Sequence, residues 1–298
     1  LTPTMVTYTE EKRYAGVISF NNQIQNPQNT VTNLKRIINL PYDSQKREEI
    51  SNSLLYNNLI KFNDGKVGIK ISYQSKEIEL RPEQSIAFLF KELKSLVFAD
   101  ELKKFVITVS PRWSEGQMRS IISCCKIAQI ECLCLLKSST ASAIAYMMQN
   151  GQKLPKKNQK SDNICFIEIG ESEMTVSVSE VKQETVHVKS FSSTEKVNGS
   201  ILTQLFEKYL IQKVKEKFNI DPSEKVVDKI NFRNAVEKTK MKLSIDNSCQ
   251  FEFQSVGNVD VNFLVSRKEF NDLFSDVRNQ IEPVVNEVLR MAKIGKNQ

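Results

Sequence analysis

The 298-residue chain holds a single histidine, His187, and no C-x-x-C pair. His187 sits in the alternating run ETVHVKS and reads as a strand-surface residue, so no Ser/His/Asp arrangement can be argued around it. The six cysteines, at 124, 125, 132, 134, 165 and 249, fall mostly in apolar helix or strand patterns. They read as buried reduced thiols in a reducing compartment, the cytoplasm, rather than as zinc ligands or disulfides. No apolar run approaches the ~20 residues that span a bilayer, which excludes a helical membrane segment. No signal peptide is visible at Leu1, no repeat of solenoid length recurs, and no initiator Met is present, so the chain reads as starting inside a longer one. Long blocks of one charge are absent too. The 42 basic and 35 acidic residues are interleaved, and the net charge of +7 reads as a solvated surface. No aromatic-plus-basic module points to nucleic acid.

What is present is ordinary soluble composition, 40% hydrophobic and 26% charged, over a length that allows one large domain or two lobes. The chain is organised around Asn163 to Val178, NICFIEIGESEMTVSV. Apolar residues on both faces from Ile164 to Ile169 predict a strand buried inside a sheet. It carries a carboxylate, Glu168, near its end, then the tight turn Gly170-Glu171-Ser172 and a return strand through Val178. A carboxylate beside a glycine turn at the carboxyl end of a buried strand is a place where sheets hold phosphates and their metal ion. Glu171 and Glu173 oppose that, because each like-charge contact at about 4 Å costs on the order of 1–4 kcal/mol. A structural hairpin with a solvated acidic turn is the alternative reading.

Elsewhere, Thr4 to Thr9 reads as a strand, and Asn29 or Thr30 is placed to cap a short helix through Lys35 and Arg36. Asp43 to Asn57 is polar and shows little apolar periodicity. Leu59 to Phe62 and Val67 to Tyr73 flank the hairpin signal Asn63-Asp64-Gly65-Lys66, with a third strand at Ile78 to Leu80. Pro82 opens a helix, Phe105 to Val109 reads as a buried strand, and Ser114 to Gln117 forms a capping box for a helix through Ile127. Cys132 to Leu136 is a strand and Thr140 to Met148 a small-residue helix. The linker Gly151 to Asp162 divides the chain into lobe I, 1–150, and lobe II, 151–298. Lobe II continues with a strand at Thr185 to Phe191, a helix over Ile201 to Phe218, and another from Asp221-Pro222-Ser223 to about Leu243. A hairpin turns around Gly257-Asn258, and a second capping box at Ser266 opens a helix to Lys293 that Pro283 should bend. The order is an alternating α/β chain in two lobes with a cleft between them.

These words in this order resemble the ATPase domain of the seventy-kilodalton heat-shock chaperones. The likeness is carried by LTPTMVTYT, NPQNTVTNLKR at 26–36, TASAIAYMM at 140–148, FIEIGESEMTVSVSEV, RNAVEKTKMKLS at 233–244 and VSRKEFNDLFSDV. NDGKVGIKISY and RSIISCCKIAQIECLCLL look closer to the larger, one-hundred-and-ten-kilodalton exchange-factor branch. The resemblance implies an actin-like ATPase fold, two lobes around a nucleotide cleft, here without the family's first phosphate loop and its C-terminal adenosine loop. It implies ATP or ADP with magnesium as cofactor, with binding weak or absent, and no metal ligand supplied directly by this chain.

Carried over residue by residue, Lys35 matches the lysine that reaches the phosphates, and Glu168 stands for an aspartate near the metal's water shell. Gly170, Ser172 and Gly199 match the phosphate loops. Glu237, Lys240 and Ser244, sharing one helix face, match adenosine contacts. Departures are numerous. Glu171, Ser172 and Glu173 replace the next glycines and threonine of the second phosphate loop, Asn198 replaces a glycine, and Ser138 replaces a carboxylate. Met241 takes the place of an adenine-stacking arginine. Ser110 holds the place of a hinge proline, displaced to Pro111, and Met118 that of the arginine coupled to it. The resemblance therefore implies an exchange-factor-type co-chaperone in protein folding, with a conventional seventy-kilodalton chaperone as partner. Its alternatives are a catalytically silent scaffold subunit of a larger assembly and an ATP-hydrolysing chaperone; nucleic acid and membrane are not expected partners.

Overall fold

Short strands and helices alternate through the first half of the chain. The computed structural model describes residues 2–53, 59–96, 104–255 and 259–295. In chain order come β1 (Val6–Tyr8), β2 (Arg13–Ala15), α1 (Gly16–Asn22), β3 (Thr30–Val31), α2 (Leu34–Ile37), α3 (Gln45–Ser53), β4 (Leu59–Lys61), β5 (Val67–Tyr73) and β6 (Lys76–Leu80). Then follow α4 (Pro82–Ser95), β7 (Lys104–Val109), α5 (Glu115–Ile127), β8 (Glu131–Lys137) and α6 (Ser138–Asn150). β1 is the centre of an antiparallel sheet ordered β2-β1-β3, β4-β5-β6 is a meander, and β7 pairs β8 in parallel. Val6, Leu34, Ile37, Ile50, Ile69, Ile86 and Ile121 join these pieces in one apolar core.

The second half has β9 (Asp162–Ile169), β10 (Met174–Val181), β11 (Val186–Thr194), α7 (Gly199–Phe218), α8 (Val226–Leu243), β12 (Ser248–Gln254) and β13 (Asp260–Ser266). It closes with α9 (Arg267–Asp272), α10 (Ser275–Arg278) and α11 (Ile281–Ala292). β10 lies between β9 and β11, and α11 covers Met174, Val176 and Val178 through Val288 and Ala292. A separate, aromatic core joins α7 and α8 to the β12–β13 hairpin, with the Phe232 ring edge-on to Phe251 at 5.3 Å and to Phe253 at 5.2 Å. Edge-on pairs set the negative ring face against a positive edge, adding about 0.5–1.5 kcal/mol to area burial.

The hairpin signal at 63–66 holds: Gly65 adopts φ +75, and β4, β5 and β6 follow as expected. Both capping boxes form, at Ser114 and Ser266. The turn around Gly257-Asn258 lies outside the described residues.

Several expectations are corrected. β9 is an edge strand, not an interior one. α6 packs on one face, bringing Tyr146 onto Phe166, while α11 lies over β10 and β11, so Ile167 and Ile169 stay about half exposed. β7 is likewise exposed at Val106. Cys124 and Cys125 are buried, but Cys134 on β8 and Cys165 on β9 are exposed, so the cysteines are not buried as a set. The helix carrying Lys35 is capped at neither Asn29 nor Thr30. Thr30 enters β3, and the turn into α2 is made by Asn33 at φ 55, a conformation asparagine tolerates. The polar stretch after Asp43 forms α3, anchored by the buried Ile50. α8 starts at Val226 rather than at Ser223, whose N–H and hydroxyl both donate to Asp221 in the preceding turn. The long C-terminal helix is three pieces, and Pro283 sits in the first turn of α11, where its missing N–H costs no helical bond.

Candidate functional site

A cavity of about 280 Å³ opens between the two halves of the chain. Lys35 and Arg36 on α2 and Lys46 on α3 line one side, with Ser110, Arg112 and Trp113 after β7, Gln117 on α5 and Ser138 at the head of α6. Gly170 to Glu173, the β9–β10 turn, and Glu195, after β11, line the other.

The turn is built by its own backbone. The Gly170 N–H donates to the Glu173 carbonyl at 2.9 Å. The N-terminus of α7 is docked on that turn: Gly199 N–H donates to the Gly170 carbonyl at 2.9 Å and Ser200 N–H to the Glu171 carbonyl at 3.0 Å. Ile201 N–H donates to Asn198 Oδ1 at 2.8 Å. The N–H groups of the helix's first three residues, which have no partner along the helix itself, are thus all occupied within the protein. The Asn198 amide donates to the carbonyls of Ser172 at 3.1 Å and Glu195 at 2.8 Å, fastening the turn from below. A Cβ on Gly199 would meet Glu171 Oε2 at 2.7 Å, so this glycine makes room for that carboxylate.

Charge in the cavity divides into paired and unpaired groups. Lys46 Nζ lies 2.5 Å from Glu195 Oε1, and Arg112 Nη1 lies 3.8 Å from the same oxygen, so Glu195 ties two elements of the first half to the second. Lys35 and Arg36 form no ion pair among the described residues, and neither does Glu171. Desolvation in the cleft pushes the Glu171 carboxyl up from its ordinary value; Lys240 pulls it down, Glu237 raises it, and Arg36 and Lys35 lower it.

The expected site residues meet this cavity unequally. Lys35, Gly170 and Ser172 line it, and Gly199 adjoins it through Gly170. Glu237 and Lys240 form a 2.8 Å pair on α8; Thr203 donates to Glu237 at 2.5 Å and Lys240 donates to Thr203 at 2.6 Å. Their charges act on Glu171 in opposite directions, Lys240 lowering its pKa and Glu237 raising it. Ser244 is turned away, its hydroxyl donating to the Met241 carbonyl at 2.6 Å, and Met241 is exposed. Glu168 does not line the cavity, and its Oε1 is a buried atom with no hydrogen-bond partner among the described residues. Arg36, Lys46, Arg112 and Glu195 were not singled out from the sequence. Lys46 hid in a stretch without apolar period; Arg112, next to the displaced proline, carried the one visible signal. Among the described residues no group of three or more His, Cys, Asp or Glu side chains is placed to hold a metal ion. No helix there is long and apolar enough to cross a membrane.

An α/β chain folded around a cleft, with a strand–turn–strand on one wall and a helix N-terminus docked on that turn, has the actin-like ATPase architecture. Within that class the chain belongs to the Hsp70 protein family, whose family model matches residues 1–298. It is 26% identical to heat shock protein 88 of Dictyostelium discoideum, over 100% of this chain and 38% of that protein. It is 27% identical to a heat shock protein homolog of Saccharomyces cerevisiae, over 100% of the chain and 43% of the relative, and 25% identical to human heat shock 70 kDa protein 4, over 99% and 36%. These place it with the chaperones of the Hsp70 family, on the 110-kDa side. The chain spans well under half the length of these relatives.

ATPase domains of this family bind ATP or ADP with magnesium. The cavity supplies cations suited to phosphate, but the turn beside them does not fit it. The Gly170 N–H is engaged by the Glu173 carbonyl, and Glu171 and Glu173 bring negative charge into the same cavity, which opposes phosphate.

Proposed function

We propose that this chain is the nucleotide-binding-domain portion of an exchange-factor-type chaperone. It binds ATP weakly or not at all and promotes ADP release from a conventional seventy-kilodalton partner in the cytoplasm. Two lobes, 1–150 and 151–298, form the body that clasps the partner, with neither nucleic acid nor membrane involved. One observation carries the reading: the N-terminus of α7, the natural anion cradle of the cleft, is filled by the carbonyls of Gly170 and Glu171 and by Asn198, with the Glu171 carboxylate against Gly199. Exchange requires a folded body and a partner surface; it does not require hydrolysis, so a spoiled phosphate turn is compatible with it. No chemical step is assigned to Lys35 or Glu168 on this reading.

A catalytically silent scaffold is the second reading, favoured by the fastening of the halves through Glu195, which needs no nucleotide. Calorimetric titration of the complete protein with ATP and magnesium, beside single-turnover hydrolysis, tests the pseudo-ATPase; an ordinary family hydrolysis rate rejects it in favour of an ATP-hydrolysing chaperone. Accelerated ADP release from a conventional Hsp70 supports exchange, and no acceleration at high protein concentration supports the scaffold.

A further inference from the structure

Four cations, Lys35, Arg36, Lys46 and Arg112, line the cavity from the first half of the chain, while the second half presents Glu171, Glu173 and Glu195. A cleft lined by cations with low-dielectric walls attracts an anion. Here the anions are already covalently attached. Glu195 pairs with Lys46 and approaches Arg112 from the opposite side. The Glu171 main chain is fixed at the start of the 20-residue helix α7 by its carbonyl, which accepts from Ser200 N–H. The glycine at 199 leaves the space that carboxylate uses. The helix macrodipole favours negative charge there, but desolvation outweighs it and the carboxyl is raised on balance, so the charge is held in place by the chain rather than by its own pairing.

We propose that Glu171 and Glu195 are built-in counter-anions of the cleft: Glu195 clasps the two halves together, and Glu171 holds the anion position facing Lys35 and Arg36, so that a free polyphosphate is excluded by charge already in place. The proposal rests on the reading that this cleft binds nucleotide weakly or not at all. It adds the cause and makes the exclusion reversible. An attached anion acts at an effective concentration that a dissolved one reaches only at millimolar levels or above. Neutralising it therefore uncovers the cations without altering them.

The test uses inorganic tripolyphosphate and calorimetry on the complete protein. Glu171→Gln is read first, because a near-isostere removes the charge alone and no side-chain bond of Glu171 is lost among the described residues, with circular dichroism confirming the fold; Glu171→Gln/Glu195→Gln follows. We expect at least tenfold tighter tripolyphosphate binding in the double variant than in the unmodified protein, with part of the gain already in Glu171→Gln. Adding Lys35→Ala and Arg36→Ala to the double variant should abolish the gain. Small-angle scattering of Glu195→Gln should show a larger radius of gyration. Equal affinities in the unmodified and neutralised proteins overturn the proposal, as does a gain that survives loss of Lys35 and Arg36. Tight ATP binding by the unmodified protein, measured in parallel, instead overturns the weak-nucleotide reading itself, so the two failures are distinguishable.

Discussion

Two glutamates stand beside helix starts in this protein, and their surroundings drive them in opposite directions. Glu269, in the first turn of α9, accepts from the Ser266 N–H and hydroxyl, both at 2.8 Å, from the Tyr209 hydroxyl at 2.7 Å, and from Lys213. Burial alone would raise its pKa, but these donors outweigh it and hold the carboxyl at about 2. Glu171, against the start of α7, has no hydrogen bond or ion pair from its side chain among the described residues, and burial with Glu237 nearby raises its pKa. Both are negative charges at the positive end of a helix. What differs is where the N–H groups go. At α9 the cap residue's N–H and the surrounding side chains serve the carboxylate; at α7 the backbone donors serve the turn. A carboxylate surrounded by donors is held ionised, and one left without them in a cleft is not.

The largest effect that would sharpen this contrast lies in the aromatic body. Arg233 grips the buried Glu207, with Nη2 2.8 Å from Oε2. Arg233→Ala leaves that carboxylate buried without its main counter-charge and should cost about 3–5 kcal/mol in denaturant unfolding. Next, Ser266→Ala removes the cap of α9 and one donor to Glu269; about 1 kcal/mol is expected from the shift in urea midpoint. A third comparison is the acid limb of stability. Because the folded-state pKa of Glu269 is depressed, its contribution is present above the ordinary 4.5 and is lost as pH falls toward about 2. Glu269→Gln should flatten that limb between those values, and an unchanged acid limb would break the contrast.

Smallest, and opposite in sign, is Glu171→Gln. A carboxyl raised on folding penalises the native state at neutral pH, and the penalty fades as pH falls through the raised folded value and is gone below the unfolded one. The variant should unfold at a slightly higher temperature than the unmodified protein at pH 7, with the difference vanishing near pH 4. A lower midpoint at pH 7 would erase the distinction between the two glutamates.

Local elements were readable wherever one short-range rule dominated. Asn-Asp-Gly-Lys at 63–66 could turn only with a positive φ, and Gly65 supplies it. Ser114 and Ser266, each three residues before a Gln or Glu, announced their helix starts. Failures came where a neighbour decided. The apolar run at 164–169 satisfies the pattern of an interior strand, yet burial depends on which elements lie across it, and α11 lies over β10 and β11 instead. α3 has a weak apolar period because Ile50 is its anchor in the core, which marks no face by repetition.

The candidate site was half legible. Resemblance picked out Lys35, Gly170, Ser172 and Gly199, and these do gather at or beside one cavity, while Ser244 folds back onto its own helix end. Glu195 and Lys46 were invisible because they are separated by 149 positions and neither stands in a motif.

The amino-acid order alone determined the α/β alternation, the hairpin at 63–66, both capping boxes and the presence of acid in a turn after a strand, because each depends on residues a few positions apart. Only the tertiary structure decided that Asn198 and the turn's own carbonyls fill the start of α7, and that Glu195 reaches Lys46. Those outcomes depend on which donors and charges meet across the cleft, and such meetings are set by the docking of whole elements rather than by spacing along the chain.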